Sequence, residues 1–359
     1  MENQAVHAVH VAPCKPSTLC VYMKSDGLVE RAIDRPVEEY LHILAAAQVA
    51  WIDITVKDLE KDLEKIAQSL GFSMLPLPKL LGGFFSSYED ADTELGIMLP
   101  SVLVKDYDVR IKPLIILMKG SFIVTLHDEE VHRLLRFARY APTFMKKLRA
   151  EPTVDKVTMI LERILDENND RNFEYLREIE KHGDEISRRL IDENLDKRVV
   201  AQEIYRMKHV LITYLNVLWA SKDVIETLRY GDTDLITDDE KLLGRIGILS
   251  DNIERHIELS EQMSNVLASG LEVMQSIYNN QLQTTNNRFA LVTAYLTVLG
   301  TAFLVPNTIA TVVSSMPDSN IGVQWWYPHI LALSTVVATA VSILWVWSVW
   351  RKKDDTLPK

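Results

Sequence analysis

The chain has 359 residues, 25% of them charged and 47% hydrophobic, with a formal net charge of −11. That length accommodates one or two soluble domains. The acidic excess argues against nucleic acid or an anionic lipid surface as a partner and suits a surrounding of cations.

Taken from the N-terminus, the first 40 residues contain no continuous apolar stretch of the kind that forms a secretory signal. Cys14 and Cys20 read as free thiols of a reducing compartment. His7, His10 and Cys14 give a loose metal-binding spacing, in a segment whose pattern predicts no regular structure. Strands are predicted at Ser17–Met23, Gly27–Ile33 and Trp51–Thr55, with helices near Val37–Gln48 and over Asp58–Leu70. Apolar runs at Leu95–Val104, Lys112–Met118 and Ser121–Leu126 read as further strands, the last two joined by a hairpin turn at Lys119-Gly120. Residues 1–153 thus read as an α/β domain.

Nine of the 13 prolines fall between Pro13 and Pro152, and none of the next 153 residues is proline. That interval is rich in Leu, Ile, Glu, Lys and Arg, so residues 154–288 read as helical. The pattern divides into Val154–Asp192, Leu195–Arg229 and one very long helix from Asp238, with turns at Glu193-Asn194 and Tyr230–Thr237. In the third helix Leu242, Ile246, Leu249, Ile253, Met263, Leu267, Met274 and Ile277 follow alternating 4-3 spacing, interrupted at His256, Ser260, Gly270 and Gln281. This coiled-coil-like seam needs partner helices. Unbroken to Val313, the helix is on the order of 110 Å long at 1.5 Å per residue.

Between Arg288 and Arg351 the only formal charge is Asp318. The apolar runs 289–313 and 325–350 each exceed the ~20 residues that cross ~30 Å of hydrocarbon, and residues 314–324 make a tight external loop between them. The tail, residues 351–359, contributes +2 and Asp318 −1, leaving −12 on residues 1–288. Arg351, Lys352 and Lys353 place the C-terminus in the cytoplasm by the positive-inside rule, and two spans place the N-terminal part there too. Trp325, Trp326 and Tyr327 at one end of the second span, and Trp345, Trp347 and Trp350 at the other, read as interfacial belts. Two spans in one copy enclose no pore, so a conducting form has to be a homo-oligomer.

The first span is not uniformly apolar. Asn286, Thr293, Thr297, Thr301, Thr308, Thr311 and Ser315 project into a sector about 80° wide at 100° per residue. Asn307 lies beside it, and Gly300 and Leu304 fall within or next to it. Such a stripe is either helix–helix contact, with Thr bonding its own i−4 carbonyl, or the lining of a water-filled path. Pro306 frees a carbonyl on the previous turn, which neighbours or water can satisfy. Neutral oxygens suit a hydrated divalent cation that sheds water reluctantly. No G-x-x-x-x-G-K-[ST], G-x-S-x-G, H-E-x-x-H or C-x-x-C motif points to an ATPase or other enzyme.

With Trp51-Ile52-Asp53-Ile54-Thr55, Phe122-Ile123-Val124-Thr125-Leu126, Trp325-Trp326-Tyr327-Pro328 and Arg351-Lys352-Lys353 in this order, the chain resembles the CorA family of divalent-cation transporters, the two-span Gly-x-Asn group. The resemblance covers nearly the whole chain. It implies an α+β cytoplasmic domain, a long helical stalk and a C-terminal two-helix transmembrane hairpin in the inner membrane, assembled as a funnel-shaped homo-oligomer, a pentamer. It implies no cofactor besides the transported and regulatory divalent cation, with magnesium preferred and zinc, cobalt or nickel as alternatives. The family's Gly-Met-Asn, or Gly-Ile-Asn in zinc exporters, would fall at Ser314-Ser315-Met316, so the selectivity asparagine has no counterpart. Asn307 occupies a different place in the motif, and the external loop keeps only Asp318 of the usual acidic cluster. Asn287 resembles the asparagine of a polar ring at the cytoplasmic mouth. Asp251-Asn252 lies near a position of the family's magnesium sensor. The expected function is divalent-cation transport down the electrochemical gradient along Asn287, Thr293, Thr297, Thr301, Leu304, Asn307, Thr308 and Thr311. The competing expectation is a CorA-like membrane scaffold that conducts non-selectively or not at all.

Overall fold

A computed structural model describes residues 18–105, 108–131, 133–190, 197–231, 233–314 and 327–354. The chain forms two compact units, Met1–Leu271 and Glu272–Lys359.

The first unit is built on a seven-stranded mixed sheet. Its strands are β1 (Thr18–Lys24), β2 (Val29–Ile33), β3 (Ala47–Val56), β4 (Ser87–Asp90), β5 (Glu94–Lys105), β6 (Asp108–Lys119) and β7 (Phe122–Asp128), in spatial order β2-β1-β3-β7-β6-β5-β4. Only β3 and β7 pair in parallel; the other pairs are antiparallel hairpin neighbours or follow from them. Gly120 supplies the left-handed φ of 53° at the β6–β7 turn, the conformation the Lys119-Gly120 pair predicts.

Three helices, α1 (Val37–Ala46), α2 (Leu59–Ser69) and α3 (Leu77–Leu81), pack on one face. Alternation along the strands explains how. Ile52, Ile54, Val124, Leu126, Ile115 and Leu117 form one core cluster with Tyr40 of α1, Leu59, Leu63 and Ala67 of α2 and Leu80 of α3. Trp51 points the other way and meets Phe137 at 4.5 Å. Its indole donates to Thr125 at 3.1 Å, and Asp53 Oδ1 accepts from Thr125 at 2.8 Å and from His127 Nε2 at 3.1 Å. This buried polar chain satisfies its members within the sheet.

Phe137 belongs to α4 (Leu135–Lys147), a helix without a counterpart in the sequence reading; α3 and β4 were likewise not expected. Pro142 sits inside α4, and a proline amid basic residues reads as a break. The helix is held by burial of Phe137, Ala138, Ala141 and Met145 along one face.

Two long helices follow, α5 (Thr153–Leu190) and α6 (Lys197–Tyr230), each close to its expected span; the Glu193-Asn194 turn lies outside the described residues. Helix α7 (Glu240–Ser314) starts where Asp239 Oδ1 accepts from the backbone of Lys241 and Leu242, both at 3.0 Å, an N-terminal cap. Its seam finds partners in its own chain. Ile246, Leu249, Ile253, Ile257 and Leu267 are buried, and so are His256 and Ser260, which interrupt the apolar pattern. His256 stacks on Phe173 of α5 at 4.9 Å, and Ser260 bonds back to the His256 carbonyl. Arg245 pairs with Glu162 of α5 at 2.8 Å, and Lys222 of α6 pairs with Glu254. The first half of the seam is therefore satisfied without a second copy.

The second unit holds the rest of α7 and α8 (Tyr327–Asp354). Each carries a stretch long and apolar enough to cross a membrane. The backbone of α8 stays helical to Asp354, past the expected boundary at Trp350.

Cys20 is a buried free thiol, and burial pushes its pKa up to about 12; Cys14, His7 and His10 lie outside the described residues.

Glu94 ties the loop after α2 to the sheet. Its buried carboxylate accepts from the backbone of Ser73 at 3.0 Å, Met74 at 2.9 Å and Leu75 at 3.2 Å, and from Lys119 at 2.8 Å. Burial pushes this carboxyl up, but the Lys119 ammonium and the Ser73 and Met74 amides pull it further down, so it lies below the usual 4.5. Its stabilisation is thus complete above the unfolded value and is lost as pH falls through the folded one. Glu94→Gln is expected to cost about 2 kcal/mol at neutral pH. It should also flatten the loss of stability between pH ~5 and ~3. Thermal unfolding of both proteins across that range checks it; parallel pH profiles would contradict this role.

Candidate functional site

The polar stripe lies on one stretch of α7, within the second unit. Asn287, Thr293, Thr297, Leu304, Asn307, Thr308 and Thr311 are exposed, and Thr301 is half-buried. Each threonine hydroxyl donates to the carbonyl four residues back. Thr293 bonds Phe289, Thr297 bonds Thr293, Thr301 bonds Thr297, Thr308 bonds Leu304 and Thr311 bonds Asn307, at 2.7–3.0 Å. The backbone reading of this stripe, an alternative to the path, is therefore realised in its local geometry. It does not remove the oxygens from use. A hydroxyl whose proton is spent on a carbonyl still presents lone pairs outward, as an acceptor.

Helix α8 covers a different face. A groove of about 380 Å³ is lined by Leu291, Ala294, Tyr295 and Val298 of α7 and Ile343, Val346 and Trp347 of α8. At 100° per residue the face of Leu291, Ala294, Tyr295 and Val298 is centred roughly 110° from the threonine stripe. Thr301 sits on the stripe's edge nearest α8, and its oxygen lies 2.7 Å from Ser342 Oγ. Among the expected path-lining hydroxyls it is the one with an interhelical partner. Asn286, on the stripe by spacing, and Asn287, one residue off it, are both exposed.

At the motif position, Ser314 ends α7; Ser315, Met316 and Asp318 lie outside the described residues. Asp251 is exposed and Asn252 half-buried on α7, in the first unit. Among the described residues no group of three or more His, Cys, Asp or Glu side chains is placed to hold a metal ion. Among the described residues of one copy, then, Asp251 and Asn252 belong to no such group. On the same helix burial holds the His256 imidazole below its usual range. The Lys222 ammonium is raised by its bond to Glu254.

Known proteins share this outline. The profile of one family, CorA-like Mg2+ transporter protein, matches residues 46–353. No curated protein matches the sequence. The complete CorA magnesium transporter from Methanocaldococcus jannaschii is similar in structure, with a TM-score of 0.66 and 18% identity over 91% of this chain and 96% of that one. The full-length CmaX protein is similar at a TM-score of 0.60 and 13% identity, over 94% and 98%. The ZntB cytoplasmic domain from Vibrio parahaemolyticus RIMD 2210633 gives 0.55 and 14%, over 74% and 100%. At such identities these structures show a common fold.

The Thr301–Ser342 contact makes a measurable claim. A double-mutant cycle of Thr301→Val and Ser342→Ala is expected to give a coupling of about 0.6 kcal/mol, the average for interhelical bonds in membrane proteins. Unfolding in detergent or bicelles reads it. Strict additivity would mean that the two hydroxyls do not share a bond.

Proposed function

As the chain belongs to the family of CorA-like Mg2+ transporter proteins, we propose that it is a homo-oligomeric channel for a hydrated divalent cation, magnesium first. The ion moves down its electrochemical gradient along the Asn287–Thr311 stretch of α7, in the inner membrane, with both termini in the cytoplasm. The observation that carries this reading is the placement of the hydroxyls relative to α8. Their protons are committed to i−4 carbonyls, and all but Thr301 lie off the face that α8 covers. A row of acceptors without carboxylates hydrogen-bonds the waters around a cation and does not strip them, which matters for an ion that dehydrates reluctantly. An inside-negative potential adds about 4.6 kcal/mol per 100 mV for a divalent ion, twice the single-charge figure. No ATP hydrolysis is needed.

Oligomerisation rests on a second apolar stripe. Leu259, Val266 and Val273 recur every seven residues on α7 and are exposed, with Ile248 on the same side. Exposed apolar residues at that spacing suit a like helix of another copy. A magnesium-sensing role for Asp251 and Asn252 draws its remaining ligands from a neighbouring copy. The competing reading is a scaffold without selective conduction, favoured by Ser314-Ser315-Met316 in place of Gly-Met-Asn.

Native mass measurement in detergent is expected to give a closed ring, five copies by family likeness. A monomer at every concentration would end the channel reading.

Flux into proteoliposomes, run with magnesium, zinc, cobalt and nickel, separates channel from scaffold. Thr297→Val and Thr308→Val keep side-chain volume while drying the path, so flux should fall several-fold. Thr301→Val and the off-stripe changes Val292→Thr and Val298→Thr should alter it little. Normal flux in the first pair with altered flux in the others would make the stripe a packing surface.

A further inference from the structure

Helix α4 is a basic element in an acidic protein. From Val131 to Ala150 the sequence contains Arg133, Arg136, Arg139, Lys146, Lys147 and Arg149 and no Asp or Glu. These cations have different fates. Arg133 is buried and donates to the carbonyls of Val102 and Asn168 and to Asn172 Oδ1. Arg136 is held by Glu167 and Asp170, and Arg149 donates to the Asp26 carbonyl. Arg139, Lys146 and Lys147 are exposed. None of these three forms an ion pair among the described residues.

Beside these exposed cations lies a cleft of about 360 Å³, lined by Tyr140, Thr143, Phe144 and Lys147 of α4, Arg163 of α5 and Arg245 of α7. That volume is within the usual range of small-molecule sites, roughly 300–1,000 Å³. Three cations from three helices line it, with the hydroxyls of Thr143 and Tyr140, two aromatic rings and no carboxylate. Arg163 is oriented by Tyr140, which accepts from its Nε at 2.5 Å, and by Asp166 at 2.5 Å. Arg245 is oriented by Glu162 at 2.8 Å. Glu167 also lies 3.6 Å from Arg163, so both arginines are held in place by carboxylates that are not among the residues lining the cleft. Guanidinium forks match phosphate oxygens in shape and charge, and a lysine adds a mobile point charge.

We propose that this cleft binds a small phosphorylated anion carrying more than one phosphate. Lys147, Arg163 and Arg245 hold the phosphates, Thr143 donates a hydrogen bond, and the rings of Tyr140 and Phe144 flank any organic group attached. A nucleoside triphosphate and an inorganic polyphosphate share this chemistry. Because Arg245 lies in the first turns of α7, an occupant held by all three cations ties the start of that helix to α4 and α5. The assignment does not depend on the transport reading.

The test is equilibrium binding to the full-length protein in detergent, without added divalent ions, using ATP, tripolyphosphate, adenosine and citrate as probes. ATP and tripolyphosphate should bind, more weakly as salt rises, and adenosine should not. Lys147→Glu is expected to weaken binding at least about tenfold, whereas Lys65→Glu, exposed on α2, should leave it unchanged. ATP binding tighter than tripolyphosphate identifies the nucleotide as the better occupant; equal binding identifies the phosphate chain alone; both support the site. No binding by either, equal binding of citrate, or indifference to Lys147→Glu would overturn it. Binding is read apart from flux, so failure of one leaves the other standing.

Discussion

Away from its ends an α-helix satisfies its own backbone, and α7 relies on this along a length of 75 residues. In water or against protein, exposed amides and carbonyls have other partners. In hydrocarbon they have none, and only a helix or a closed barrel can pass. A run of i→i−4 bonds missing only the donor of Pro306 therefore lets the same element serve as a packed helix in the first unit and as an apolar helix in the second. What changes along it is the chemistry of its side chains.

In the first unit the buried face of α7 includes His256, stacked on Phe173, and Ser260, bonded to the His256 carbonyl, among aliphatic residues. Ion pairs to α5 and α6 hold the flanks. In the second unit the polar stripe includes threonines whose hydroxyl protons return to the helix itself. That bond makes a hydroxyl tolerable in an apolar setting, and the same bond turns its oxygen into an acceptor. Packing and cation passage place the same demand on the local geometry, so the i−4 bonds cannot by themselves tell the two apart. The position of α8 does more, because it assigns Thr301 to a contact and leaves the other hydroxyls off that face.

Net charge conceals a local opposite. The sum of −11 suits cations as partners, yet α4 gathers basic residues without an acidic one, and charges fall off over about 8–10 Å at physiological salt. A ligand in the cleft beside Tyr140 and Lys147 responds to the nearest side chains far more than to the total.

Local signals in the chain suffice for the order of the elements other than α3, β4 and α4, for the two long apolar stretches, for the approximate limits of α5 to α7 and for the family likeness. Those signals are proline placement, 3.6- and 2-residue periodicity, and runs of uncharged residues. The sequence did not reveal α4, where Pro142 and a basic composition outweigh the modest periodicity of Phe137, Ala138, Ala141 and Met145. Nor did it tell that the α7 seam is covered by its own chain, since a 4-3 pattern records that a face is buried and not what buries it. Thr301 meets Ser342, and Lys147, Arg163 and Arg245 line one cleft, through packing alone. Those residues are separated by 41, 16 and 82 positions, and proximity across such separations is created by packing, for which no local pattern exists.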